Sequence, residues 1–413
     1  MGDRRARRAA RPPLPPGFGV IWTAVAIDLV GFGIVFPILP QYARRFHASP
    51  LVATTLVTAF SAASFLFSPL WGRVSDRVGR KPVLLVSLIG TAAGSLLTGL
   101  AGGIGLLFVG RIVDGISGAS VSVAQASVSD VAPTAQRARL FGLLGAAFGL
   151  GFVAGPALGA LAALGGPRLP FFIAAGLATV NALVGLRRLP ETRPPQARRP
   201  ADGDKAAPAA RRGPLGGLAG AGGAGAGPLI AVAFLALVGF SGFEATFSLF
   251  LRGELGSSLG STAAVFAAIG LAIVAVQAGL VHPVARRLGE VGTLRAGLVA
   301  NAAGLAALAA ARSWWGIVPA LAALTLGQGL VQTTMSSALA GRAEAARRGE
   351  VLGAQQSAGG LARVVGPALG GVLFGRVAVG APYVAGAALM ALALLLLGSA
   401  GRPVPRPVAT ASG

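Results

Sequence analysis

The chain contains no cysteine, which excludes disulfides and thiolate metal sites. Histidine is almost as scarce: His47 and His282 are too few for a histidine-based metal centre. Charged residues make up 12% of the 413 positions, against about 25% in a typical soluble domain. Acids are the rarer sign, 13 against 35 lysines and arginines, and the net charge is +22. No His-Glu metal motif, nucleophile triad or phosphate-cradling loop is present, which argues against an enzyme. GAGGAG at Gly220–Gly225 satisfies the G-x-G-x-x-G pattern and GLGFVAG at Gly149–Gly155 nearly does. Neither follows a strand, so neither is read as a dinucleotide site.

What the chain has instead is apolar length. Hydrophobic residues make up 54% of it and the mean hydropathy is +0.74. A spanning helix needs about 20 apolar residues, and runs of that length recur at 18–42, 51–72, 82–103, 105–132, 139–164 and 168–189. A second set falls at 228–251, 261–284, 292–312, 314–340, 350–376 and 381–400. The expectation is an all-α membrane protein of twelve transmembrane spans. Two six-helix bundles, 18–189 and 228–400, are joined by a Pro-, Gly- and Arg-rich linker at 190–227. Short basic tails at 1–17 and 401–413 complete the layout. The first run holds Asp28 and lacks a small-residue cleavage site, so it reads as an uncleaved first span.

Orientation follows from the basic residues. With the N-terminus cytoplasmic, 27 of the 35 lysines and arginines fall on the inside, six outside, and Arg111 and Arg363 within spans. Both termini are therefore expected in the cytoplasm, and the +22 reflects topology, not a nucleic-acid partner. The halves also repeat. GPALGA at Gly155 recurs as GPALGG at Gly366, an offset of 211 that also relates Gly118 to Gly329, while Gly79 maps onto Gly289 at 210. Parallel repeats of this kind build rocking transporters with the site between the halves.

Between spans 2 and 3 stands GRVSDRVGRKP, Gly72–Pro82. Gly72, Asp76, Arg77, Gly79, Arg80 and Lys81 match G-x-x-x-D-R-x-G-R-K, and the arrangement resembles the signature loop of the major facilitator superfamily. Gly72 would permit close helix approach and Gly79 the turn. Asp130, at the end of span 4, is the natural partner for Arg77 or Arg80. In the family such pairs latch the cytoplasmic side and break when it opens; a topogenic basic loop with no moving part uses the same residues. LPET at Leu189–Thr192, closing span 6, also resembles the superfamily. The resemblance covers residues 18–400.

Span 4 sets Arg111, Asp114, Gly118, Ser122, Gln125 and Ser129 three or four residues apart, on one helical stripe. A polar stripe in an apolar helix should face a cavity. Arg111 with Gly115 and Gly118 resembles the family's R-x-x-x-G-x-x-G motif, linked there to proton transfer; Arg111–Asp114 as a purely structural ion pair fits the same residues. In span 5, Gly142, Gly151, Gly155, Pro156 and Gly159 match G-x8-G-x3-G-P-x2-G, the pattern of the family's antiporters, with Ala160 where a glycine usually stands. There the glycines let a neighbouring helix approach and Pro156 bends the span. Span 1 reads IDLVGFGIVFPILP; an Asp followed by P-x-x-P resembles the drug and tetracycline exporters.

Asp28, Asp114 and Glu244 are the three acids well inside spans, where a charged residue costs roughly 2.5–3.5 kcal/mol. Such residues are functional candidates. Asp28 can take up a proton unless a cation holds it ionised. Gln328 and Gln332 on span 10, with Gln356 and Arg363 on span 11, could line the same cavity or bind helix to helix. Phe32, Phe36, Phe243 and Phe247 would supply apolar walls. The resemblance implies a monomeric inner-membrane transporter with no cofactor, exporting an amphipathic small molecule in exchange for protons. A proton symporter or facilitator importing a nutrient remains open on the same fold, as does a non-transporting sensor.

Overall fold

The computed structural model describes residues 13–193, 226–342 and 348–399. Most of the N-terminal tail and linker, and the whole 401–413 tail, lie outside them. Span 1 is α1 (Phe18–Val35), a turn, the short α2 (Leu39–Ala43) and a 3-10 turn (Arg44–Phe46). Spans 2 and 3 are α3 (Pro50–Val78) and α4 (Arg80–Gly99). Span 4 comes in two pieces, α5 (Ile104–Ser117) and α6 (Ser120–Val131). Spans 5 and 6 are α7 (Thr134–Ala163) and α8 (Leu169–Arg188). The second set is α9 (Gly227–Leu255), α10 (Leu259–Gly279), α11 (Val281–Ala310), α12 (Trp314–Arg342), α13 (Arg348–Arg376) and α14 (Ala381–Ser399). No strand occurs among the described residues.

Twelve spans long and apolar enough to cross a membrane result, six on each side of the linker. Their outer faces carry large apolar side chains such as Leu164, Trp315 and Leu395. A soluble surface rarely exposes so much apolar area; a hydrocarbon core accommodates it. Two runs expected to be continuous are interrupted. Pro37 cannot donate to the helical ladder and restricts the residue before it, so α1 ends at Val35. The break after Ser117 has a different cause, taken up with the site.

The described residues form two compact units. Of these residues, one comprises 13–36 and 66–193, the other 37–65, 226–342 and 348–399. In the first, α1 packs on α7 and α8, and α4 on α5 and α8. The α1–α7 seam is glycine on glycine. A Cβ added to Gly155 would sit 2.5 Å from Gly33 Cα, and one on Gly151 2.7 Å from the Leu29 carbonyl. Trp22 Nε1 donates to the Leu143 carbonyl (2.7 Å) and Asn181 Nδ2 to that of Ala24 (2.7 Å), tying α1 to both neighbours.

The second unit repeats this scheme: Gly366 of α13 meets Gly242 of α9, with a Cβ there 2.9 Å from the Gly242 nitrogen. The repeat also holds at the turns. Gly79 (φ 108°) separates α3 from α4, and Gly289 (φ 68°) interrupts α11 at the matching place. Both are conformations that side chains with a Cβ rarely adopt. Residues 37–65 pack in this unit: all five residues of α2 are buried, and Gln41 Nε2 donates to the Ser257 carbonyl at 2.7 Å. Phe243 and Phe247, expected as cavity walls, are instead enclosed with Phe250, Phe266 and Tyr383 in the unit's aromatic core. Their size and apolarity make them core.

Candidate proton-coupling and latch sites

In the first unit, Asp28 stands midway along α1. Its Oδ2 accepts a hydrogen bond from the Ser120 hydroxyl, while Oδ1 is enclosed with no hydrogen-bond partner among the described residues. The Thr91 hydroxyl of α4 lies near the carboxyls of both Asp28 and Asp114. Arg111 donates from Nη1 to Asp114 Oδ2 at 3.0 Å, and both residues are under 10% exposed. Its other nitrogens reach Thr98 Oγ1 (3.0 and 3.3 Å) and the Gly94 carbonyl (3.5 Å). Arg111 is thus paired and saturated, as a buried charge must be. Among the described residues, Asp28 faces hydroxyls and no cation.

The expected single stripe along span 4 does not form. The break after Ser117 leaves Arg111 and Asp114 on α5, and Ser122, Gln125 and Ser129 on α6. Gln125 is half-buried. The backbone groups freed at the break find side chains: Ser87 Oγ donates to the Ser117 carbonyl and accepts from Ala119 N–H at 3.2 Å. Trp71 Nε1 takes the Ile116 carbonyl at 2.5 Å. Those partners meet the rule that backbone polar groups at membrane depth must be satisfied within the protein.

At the junction of α3 and α4, Arg80 is the hub. Its Nη2 meets Asp76 Oδ1 at 2.8 Å, Nε meets Asp130 Oδ2 at 2.8 Å, and Nη1 donates to Ser75 Oγ at 2.6 Å. Of the two partners expected for Asp130, the structure selects Arg80; Arg77 belongs to the exposed side of the last turn of α3. Asp76 is held also by Arg193 Nη1 (3.0 Å). Lys81 is placed through its backbone: Glu191 of LPET accepts from the N–H groups of Arg80 (2.9 Å) and Lys81 (3.4 Å) and from Arg193 N–H (3.0 Å). A carboxylate there satisfies orphan donors and complements the positive end of α4. Gly79 makes the turn as expected, but a Cβ on Gly72 would meet nothing within 4 Å, so that glycine mediates no close approach.

The span 5 motif divides the same way. Gly151, Gly155 and Gly159 pack on α1, and Pro156 lies inside α7, whereas Gly142 has open space beside it. In the second unit, Arg363 of α13 acts electrostatically on Glu244 of α9. Gln356 shares the open face of α13 with Arg363. Gln328 is buried and accepts weakly from Asn301 Nδ2 (3.5 Å); Gln332 is exposed and accepts from Gln277 Nε2 (3.3 Å). Sequence reasoning missed Ser87, Thr91, Thr98 and Ser120. Three of these stand four and seven residues apart on α4, with Gly90 and Gly94 between them, a helical spacing that was readable.

Comparison with known proteins agrees with this architecture. The Major Facilitator Superfamily matches residues 21–367. The class D tetracycline resistance protein of Salmonella ordonez is 31% identical over 386 residues, 92% of this chain and 95% of its own length. Multidrug resistance protein 2 of Bacillus subtilis (strain 168) is 25% identical over 358 residues, covering 86% and 88%. Among solved structures, the human organic anion transporter MFSD10 superposes with a TM-score of 0.70 at 26% identity, covering 93% of this chain and 100% of that one.

Proposed function

The chain belongs to the Major Facilitator Superfamily, a family of membrane transporters, and from that premise we propose that it exports amphipathic small molecules in exchange for protons. The observation that carries this reading is Asp28: a mid-span carboxyl with, among the described residues, one enclosed oxygen unbonded and no cation beside it. A proton can neutralise such a group where a fixed cation would have made it inert. Arg111–Asp114, already paired, serves as its electrostatic neighbour and not as the first acceptor.

In the proposed cycle, a proton from outside neutralises Asp28 and releases the substrate. Deprotonation toward the cytoplasm restores the charge for the next load. The Arg80–Asp76–Asp130 cluster closes the inner side and opens once per turn. Polar groups for the substrate are offered in the first unit by Gln125 and, in the second, by Glu244, Arg363, Gln328, Gln332 and Gln356. Gly151, Gly155 and Gly159 of α7 keep the α1–α7 seam close enough to move as one piece. The proton gradient supplies the energy without a cofactor, the working unit is a monomer in the inner membrane, and both termini are cytoplasmic.

The test uses purified protein in liposomes with an imposed pH gradient and a panel of tetracycline, lipophilic dyes and other drugs. Gradient-driven movement that is lost in Asp28→Asn is the expected result. Movement surviving in that variant moves the coupling to Asp114 or Glu244. Absence of gradient-driven movement for every compound refutes antiport and favours nutrient import.

A further inference from the structure

Span 4 breaks between Ser117 and Ser120, beside Asp28. Glycine alone does not account for it. Gly118 has a repeat mate, Gly329, and α12 runs through Gly329 unbroken from Trp314 to Arg342. What differs is the neighbourhood. The offsets of 210 and 211 that relate the two halves place Gly297 or Leu298 opposite Ser87, and Leu330 or Val331 opposite Ser120. The second unit thus lacks both hydroxyls, and its helix is whole. In the first, Ser87 donates to the Ser117 carbonyl and accepts from the Ala119 N–H, which also bonds that carbonyl at 2.6 Å, and Ser120 donates to Asp28.

The 12-residue α6 therefore begins at Asp28 and ends at Asp130, which holds Arg80. Its length is about 18 Å at 1.5 Å per residue. Its N-terminal end carries the positive pole of the helix dipole, directed at a carboxyl. We propose that α6 is a lever that reads the charge of Asp28 through Ser120 and transmits it to the Arg80–Asp130 latch, with Ser87 holding the hinge open. This rests on the proton-coupled reading only in requiring Asp28 to gain and lose a proton. Ionised, Asp28 draws Ser120 and the start of α6 toward it, and the break persists. Neutral, it releases them; the freed N–H groups of residues 119–120 return to α5 carbonyls, span 4 straightens, and Asp130 is carried off its present position. Among the described residues, the charged group acting on Asp28 is Asp114 of α5, itself paired with Arg111. α4 presents Thr91, while the arginines of α7 and α8 stand near their ends, at Arg137 and Arg139 and at Arg187 and Arg188.

The absence of native cysteine makes the measurement direct. Spin labels on Val109→Cys and Val131→Cys, in the full chain in lipid nanodiscs, report the length of span 4 by pulsed electron resonance. An unbroken helix would separate the two positions by about 33 Å. The expected result is a shorter distance in alkaline buffer that lengthens in acid. Asp28→Asn should show the long form at both, and Ser120→Ala should show it already in alkali. Ser120→Thr, which keeps the hydroxyl, should restore the native response, and Ser87→Ala should lengthen the alkaline form as Ser120→Ala does. A native distance indifferent to pH overturns the lever, as does a pH response that persists in Asp28→Asn or an unchanged Ser120→Ala. Because the readout is a distance, it is independent of transport. A lever that responds while no compound follows the gradient leaves the lever standing and sinks the exporter reading; proton-driven export with a rigid span 4 does the reverse.

Discussion

Asp114→Ala removes the partner of a buried arginine. The Cβ that packs on Gly94 is retained, so the change isolates the charge. Arg111 keeps Thr98 and the Gly94 carbonyl but loses its counter-ion. Leaving one member of a buried pair unmatched costs about 3–5 kcal/mol, and Arg111→Met should cost a similar amount by stranding Asp114. The double variant removes both charges, so its loss should fall short of the sum by about 2 kcal/mol or more, high in the range for residues in one network. Arg312–Glu254 is the internal control: a 3.4 Å pair whose arginine side chain is 53% exposed, expected to contribute about 1 kcal/mol or less. Unfolding by titrated dodecyl sulfate in mixed micelles, followed by far-ultraviolet circular dichroism, measures all four variants. Additive singles costing no more than Arg312→Ala would refute the argument that this pair is a desolvated, mutually dependent unit.

Two glycines of one motif should behave oppositely: Gly155→Ala drives a methyl into the Gly33 backbone and should destabilise by about 1–3 kcal/mol. Gly142→Ala, with open space around it, should be neutral or stabilise by about 0.5–1 kcal/mol through helix propensity, and the same unfolding titration separates them. Glu191→Gln keeps the shape of the cap on α4 but removes its charge, and should cost about 0.3–2 kcal/mol, less in high salt. Arg80→Lys has one ammonium to offer where three partners are served in different directions, so it should lower gradient-driven transport in liposomes markedly without preventing folding.

The twelve spans, the repeat and the turn at Gly79 were legible because each depends on local chemistry: apolar length, a recurring string, a residue without a Cβ. The positive φ at Gly79 and Gly289 is the repeat read twice. The roles of Gly72 and Gly142 were not legible, since a glycine in a motif looks the same whether its vacant Cβ position is filled by a neighbour or by nothing. Phe243 and Phe247 show the same limit: the sequence marks them as large and apolar, and only the packing of α9 against Phe266 and Tyr383 decides that they are core.

The break in span 4 went unseen for a reason that bears on how the molecule works. Gly118 and Gly329 occupy matching places in two runs of similar hydropathy, and no local rule separates them. The outcome is set by another helix: Ser87 on α4 in one unit, Gly297 or Leu298 on α11 in the other. A hydroxyl that can replace a lost backbone bond makes the broken form affordable inside a membrane; where glycine or leucine stands in place of Ser87, the ladder is intact. Ser87, Thr91 and Thr98 lie along one face of α4 and serve in turn the break, the two acids and Arg111. The two copies of the duplicated scaffold therefore differ at span 4, because span 3 supplies in the first unit the hydroxyl that the break needs.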